Sequence, residues 1–315
     1  MRHFLSADDV HNVEALAQKA LKHKANPFRY QHVGKNKTLL LVFLNASLRT
    51  RLSTQKAAQN LGMNTIVLNV GQDAWQMEYE DNVVMDGTTA EHIKEGAAVM
   101  GQYADIVGIR SFPTLSDRNQ DYSEYILHKF IQYVQKPVIS LESATLHPLQ
   151  SLTDLMTIRE YSVVPKPKVV LTWAPHVRAL PQCVANSFTQ WMSRADVDFV
   201  LTYPQGYDLN PEFSKGVQIT HNQEEAFHDA EFIYAKNWSS YTHYGQILNK
   251  DSSWRVTQEK MKLTNDAKFM HCLPVRRNIV VADDVLDSPS SIVIPQAGNR
   301  EWAAQAVLYE MLETL

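Results

Sequence analysis

Seven consecutive residues, Thr38–Leu44, read TLLLVFL and carry no charge. A strand with one wet face alternates apolar and polar residues, whereas a run apolar throughout is covered on both faces. Strands of that kind belong to parallel sheets flanked by helices. The rest of the sequence keeps the same rhythm. Strand-like runs near Thr65–Asn69, Asp105–Ile109 and Pro137–Leu141 are separated by Leu48–Leu61, Glu91–Tyr103 and Tyr122–Val134, where apolar residues recur at helical spacing. A second series follows, with strands near Lys168–Thr172, Asp198–Thr202, Phe232–Ala235 and Phe269–His271. Between them lie Leu180–Arg194, Glu224–Asp229 and Thr257–Leu263. The pattern predicts an α/β fold of two doubly wound parallel-sheet domains.

Two prolines in Val164-Pro165-Lys166-Pro167 interrupt helix and mark the boundary between the halves. A helix starting at Pro148 is expected to bridge them. A last helix, about Glu301–Glu313, is expected after Gly298-Asn299-Arg300 and has an apolar stripe of Trp302, Ala306, Leu308, Tyr309 and Leu312. The expected division is 1–150, 151–297, and a C-terminal helix, 298–315, returning to the first domain. At the N-terminus, Ser6 with Asp8 and Asp9 reads as a helix start, Leu5 stapling onto Val10.

Composition narrows the function. The 315 residues are 44% hydrophobic and 20% charged, as in a globular protein, with a net charge of −4. That balance gives no general attraction to nucleic acid or anionic membranes. The apolar runs are strand-sized, so no membrane span is expected, and no secretion signal is read at the start. The two cysteines, Cys183 and Cys272, make no disulfide framework. A cytoplasmic enzyme is the expectation.

Open parallel sheets bind ligands beyond the carboxyl ends of their strands. The residues at those positions are Ser47-Leu48-Arg49-Thr50-Arg51, Arg110, Glu142 with His147 and Gln150, His176, Lys236, and His271-Cys272-Leu273-Pro274 with Arg276. Two arginines in the first turn of a helix oppose its dipole, which is reasonable where an anion binds. Ser47 reads as the N-cap. No Gly-x-x-x-x-Gly-Lys and no Gly-x-Gly-x-x-Gly after a strand occurs, which disfavours nucleotide sites. On residue type alone, His147 is equally a helix cap beside Pro148, Cys272 a small buried apolar residue, and His176 an ordinary strand-end histidine. Adjacent His271 and Cys272 with no matching pair elsewhere make a poor zinc site, so no metal is expected.

Three motifs in order carry a resemblance. Ser47-Leu48-Arg49-Thr50-Arg51 is similar to the Ser-x-Arg-Thr-Arg phosphate motif of the carbamoyltransferases, with Leu48 where the family often has Thr. His147-Pro148-Leu149-Gln150 resembles their His-Pro-x-Gln motif, and His271-Cys272-Leu273-Pro274 the His-Cys-Leu-Pro of the ornithine branch. The resemblance implies transfer of a carbamoyl group from carbamoyl phosphate to an amine, without cofactor. It implies that Ser47, Leu48, Arg49, Thr50, Trp75, Arg110, His147, Gln150, Cys272, Leu273 and Arg300 bind carbamoyl phosphate. Catalysis would rest on Arg49, Thr50, Arg110, His147 and Cys272. It further implies a homotrimer in which Gly71-Gln72-Asp73-Ala74-Trp75-Gln76 reaches a neighbouring active site.

The acceptor side departs from the ornithine branch. Where that branch ends a strand in an aspartate for the α-ammonium, followed by Ser-Met-Gly, this chain has Lys236-Asn237-Trp238-Ser239. A lysine repels an α-ammonium, so the acceptor is expected to lack one. The pattern resembles the N-acylornithine carbamoyltransferases, which implies Glu142, His176, Lys236, Arg276 and Ala90 as acylornithine-binding residues. Acetyl-specific relatives carry glutamate at position 90; the neutral Ala90 favours the extra carboxylate of a succinyl group. The expected reaction converts N2-succinyl-L-ornithine to N-succinyl-L-citrulline and phosphate in arginine biosynthesis. The alternatives are an N-acetylornithine carbamoyltransferase and a non-catalytic relative that binds carbamoyl phosphate.

Overall fold

The computed structural model describes all 315 residues. Helix α1 (Val13–Ala25) precedes strand β1 (Thr38–Phe43), helix α2 (Arg49–Asn60) and strand β2 (Asn64–Asn69). Helix α3 (Ile93–Gln102), β3 (Ile106–Arg110), α4 (Tyr125–Val134) and β4 (Val138–Glu142) complete a first sheet of order β2-β1-β3-β4. Helix α5 (Pro148–Tyr161) leads to β5 (Lys168–Trp173), α6 (Cys183–Met192), β6 (Asp198–Thr202), β7 (Gln218–Thr220), β8 (Phe232–Lys236) and β9 (Lys268–Met270). The second sheet has order β9-β8-β5-β6-β7, and every strand pair in both sheets is parallel. Helix α7 (Val293–Leu312) closes the chain.

The all-apolar reading of β1 is explained by what covers it. Leu39, Leu41 and Phe43 enter a 50-residue core with α1, α2, α5, α6 and α7. Leu40 and Val42 enter a separate core with Ile93, Ala97, Phe130 and Val134 of α3 and α4. Strand β5 divides the same way: Val169, Leu171 and Trp173 join the large core, and Val170 joins a third cluster on the outer face of the second sheet. Side chains alternate across a strand, so each face needs its own helical cover. The large core includes both β1 and β5, and α5 and α7 supply the residues between them.

Several boundaries differ from the sequence reading. Ser6 does cap, with a capping box, but only the single turn Ala7–Asp9; α1 starts at Val13, where Asn12 accepts from the Ala15 N–H at 2.9 Å. Ser47 is not a cap. Helix α2 starts at Arg49, Leu48 holds the N-cap position in a helical conformation, and no side chain caps the end. Tyr122–Val134 is broken by Glu124, at φ 52°, whose carboxylate accepts from Ser143 Oγ at 2.6 Å and Thr145 N at 2.8 Å. The last helix begins at Val293, so Gly298-Asn299-Arg300 lie inside it. Buried bonds from Gln296 and Arg300 to α5, and from Asn299 to its Thr157, outweigh the helix-weakening glycine.

Candidate active site

The strand orders create two switch points. In the first sheet the connections leave β1 on one side for β2 and return on the other for β3; in the second they diverge between β5 and β8. The carboxyl ends at those points carry the residues picked out from sequence: Phe43 pairs with Arg110, and Trp173 with Lys236. The loops beyond them line a single cavity of about 850 Å³. Fourteen expected residues line it: Ser47, Leu48, Arg49, Thr50, Arg110, Glu142, His147, Gln150, His176, Lys236, Cys272, Leu273, Arg276 and Arg300.

On the first-domain side, the backbone N–H groups of Leu48 to Arg51 donate to nothing in the chain. They form the positive end of a twelve-residue helix. Arg300 is buried on α7; its Nη2 donates to Thr50 Oγ1 at 2.5 Å and its Nη1 to Gln150 Oε1, while Nε has no partner. Arg110 is clamped. Its Nε and Nη2 donate to Glu142 Oε2 at 3.1 and 2.9 Å, its Nη1 donates to the carbonyls of Asn45 and Ala46 at 3.1 and 2.9 Å, and Phe112 stacks 4.2 Å away. One guanidinium therefore fixes the loop entering α2. His147 Nε2 lies 3.8 Å from the same Glu142 oxygen.

The opposite wall is built by the second domain. His176 accepts at Nε2 from Arg276 Nε at 3.1 Å, and its Nδ1 lies 2.9 Å from the Arg178 carbonyl. That arrangement places the ring proton on Nδ1. Lys236 ends β8 half-buried and lines the same cavity as this pair and the 272–274 turn. His271 is fully buried: its N–H donates to Gln296 Oε1 at 3.0 Å, and its Nδ1 accepts from Leu273 N at 2.9 Å. Leu273 has φ +55° and is followed by a cis bond to Pro274. The fixed turn presents Cys272 and Leu273 to the cavity.

Electrostatics follow from burial. Desolvation pulls His147 down to about 3 and His271 well below the ordinary histidine range, so both rings are neutral at physiological pH. Burial alone would raise the Glu142 carboxyl, but the Arg110 guanidinium paired with it and the Cys183 thiol outweigh that and hold it low. The site is thus strongly cationic around two buried, neutral imidazoles. The His147 shift sets a stability trend. The unfolded ring binds its proton near pH 6.5 and the folded ring only near 3, so the unfolded state takes up more protons in between. Stability should fall as pH drops from 6.5 toward 3. His147→Asn should flatten part of that fall in urea unfolding measured across the range, and an unchanged slope would refute it.

Sequence reading missed several neighbours. Cys183, on the cavity wall, places Sγ 3.3 Å from Glu142 Oε1; Phe112 and Arg178 also line the cavity. Beneath it, Asp154 and Gln296 are buried without any motif to mark them. Asp154 lies one helical turn after Gln150 on the same α5 face, the spacing that could have found it. Trp75 and Ala90 do not line the cavity of their own chain. Both are exposed, on adjoining loops tied by Trp75 Nε1 to Glu91 at 2.7 Å and Ala90 N to the Gln76 carbonyl at 3.2 Å. No cluster of three or more histidine, cysteine or acidic residues is placed to hold a metal ion. No helix is long and apolar enough to cross a membrane.

Residues 2–160 match the carbamoyl-P binding domain of the aspartate/ornithine carbamoyltransferases, and residues 181–311 match their Asp/Orn binding domain. The chain belongs to the aspartate/ornithine carbamoyltransferase family. Within it, the chain is 53% identical to an N-succinylornithine carbamoyltransferase of Bacteroides thetaiotaomicron, across 100% of both sequences. It is 36% identical to an N-acetylornithine carbamoyltransferase of Xylella fastidiosa, over 98% of each. A crystal structure of acetylornithine transcarbamylase complexed with acetylcitrulline shares 35% identity and superposes with a TM-score of 0.92, over 99% of both chains. A glutamate-to-alanine variant of N-acetyl-L-ornithine transcarbamylase, complexed with carbamyl phosphate and N-succinyl-L-norvaline, gives 0.92 at 34% identity, over 99% of this chain and all of that one.

Proposed function

We infer that this enzyme transfers the carbamoyl group of carbamoyl phosphate to the δ-amine of N2-succinyl-L-ornithine, releasing N-succinyl-L-citrulline and phosphate, as a step of arginine biosynthesis. The observation that carries this reading is Lys236 at the second switch point, facing an anion site built from the α2 N-terminus, Arg49 and Arg300. The phosphate group is assigned to the free N–H groups of Ser47 to Thr50, to Arg49 and to Arg300. The carbamoyl group is assigned to a ring of Thr50, Arg110, His147 and Gln150, with its oxygen toward Thr50, Arg110 and His147 and its amide toward the backbone of Cys272 and Leu273. As the amine attacks, negative charge grows on that oxygen, and donors already fixed there stabilise the transition state more than the ground state. The acceptor amine reacts only as the free base, although its ordinary pKa is about 10. Desolvation beside the cations of the cavity lowers that value. The departing phosphate is assigned as the acceptor of the amine proton.

Glu142, His176, Lys236 and Arg276 are assigned to the acylornithine. Lys236 and Arg276 suit carboxylates, and a blocked α-nitrogen leaves no ammonium for Lys236 to repel. Ala90 and Trp75 are assigned to a neighbouring subunit's cavity in a homotrimer, which accounts for their exposure in the single chain. That a glutamate-to-alanine variant of an N-acetyl-L-ornithine transcarbamylase was solved with N-succinyl-L-norvaline is in keeping with a succinyl group beside a neutral Ala90. Pairing carbamoyl phosphate with free, acetylated and succinylated ornithine, and measuring ureido product, tests the reading. Product from the succinyl compound well above the other two is expected. Dominant acetyl turnover would replace the acceptor, and no product from any of the three would favour a binding protein.

A further inference from the structure

A buried polar chain runs beneath the cavity and joins its two walls. Thr50 accepts from Arg300, and Arg300 donates to Gln150 Oε1. Gln150 Nε2 donates to Asp154 Oδ1 at 2.8 Å, and Gln296 Nε2 donates to the same oxygen at 2.6 Å. Gln296 Oε1 then accepts from the His271 N–H at 3.0 Å, and His271 holds Leu273 N. Every member from Gln150 to His271 is 1% exposed or less. Asp154 is the single node where the arm to the anion site and the arm to the 271–273 turn meet.

The chemistry at that node is directional. Each glutamine has an oxygen end and an amine end. Gln150 must present oxygen to the Arg300 guanidinium, and Gln296 must present oxygen to the His271 N–H. Both amine ends are thereby aimed at Asp154, which has to be an acceptor. We propose that Asp154 is a positioning residue: its Oδ1 locks both glutamine amides in one orientation and so holds the phosphate-binding arginine and the carbamoyl-facing turn in register. The inference rests on the function proposed above. Burial pushes the Asp154 carboxyl up to about 7, against the pull of Gln296 and Gln150. Oδ1 is an acceptor in either protonation state, since Oδ2 has no partner and is free to take the proton. The role is therefore one of geometry, and an amide at this position can perform it.

The test compares Asp154→Asn, which keeps the acceptor, with Asp154→Leu, which removes it, each checked for a native melting transition. Outer partners of this kind typically contribute about 10- to 100-fold. Asp154→Leu should weaken binding of inorganic phosphate, measured by calorimetry, by about 10-fold and lower kcat by up to about 100-fold. Asp154→Asn should restore both to within a few-fold of wild type. Should Asp154→Leu not fold, Gln296→Met cuts only the second arm and should lower kcat while leaving phosphate affinity intact. Equal impairment in the Asn and Leu variants, wild-type behaviour in the Leu variant, or a phosphate defect in Gln296→Met would each overturn the proposal. If the wild type carbamoylates no ornithine, the functional reading falls, and phosphate calorimetry on the same variants still decides the positioning role.

Discussion

Replacing Arg300 with methionine should lower kcat/KM for carbamoyl phosphate by roughly 1000-fold, the upper end for loss of one fixed donor to a developing anion. The expectation comes from how completely the guanidinium is committed. Both terminal nitrogens are held, by Thr50 and Gln150, and the charge lies in a buried setting where water cannot replace it. Burial lowers the Arg300 pKa from its usual value, yet an arginine stays cationic at neutral pH. Lysine should rescue poorly, because a single ammonium cannot reach Thr50 and Gln150 as a fork while also meeting an anion. Steady-state kinetics of the Met and Lys variants, with melting curves to confirm folding, check this. Full activity in the methionine variant would remove Arg300 from the anion site.

Lys236→Asp should invert the acceptor preference. Truncating one member of a desolvated charge pair typically costs about 2–5 kcal/mol, and each 1.4 kcal/mol is about tenfold. Activity toward N-succinylornithine should therefore drop by on the order of 100-fold or more, with a new carboxylate repelling those of the substrate. Free ornithine, whose α-ammonium the wild-type lysine repels, should gain relative activity. The ratio of the two kcat/KM values is the measurement. An unchanged ratio would show that residue 236 does not meet the nitrogen end of the acceptor.

The fold was readable where one physical demand dominated. Thr38–Leu44 has no wet face, and both of its faces proved to be covered by helices. The strand ends then announced the cavity, because arginine, histidine and lysine after apolar runs have few structural uses there. What escaped the reading was decided by tertiary bonds. Ser47 looks like a cap, but the helix begins later and keeps its N–H groups free. Gly298 looks like a helix boundary, but Gln296, Asn299 and Arg300 find buried partners on α5 and carry the helix through it. Glu124 reads as mid-helix until its carboxylate is seen gathering the 143–145 loop. Asp154 and Gln296 bear no motif, since their meaning lies in what they hold.

Helix α7 is made after every strand of both sheets, yet Ala303, Val307 and Leu308 lie in the same core as Leu39, Leu41 and Phe43 of the first strand. During synthesis the N-terminal half therefore emerges with one flank of its sheet only partly covered, by α1, α2 and α5. It waits for α7 before it is sealed. The nascent protein should consequently be most exposed to proteases and chaperones just before α7 leaves the ribosome, when both sheets are already in place.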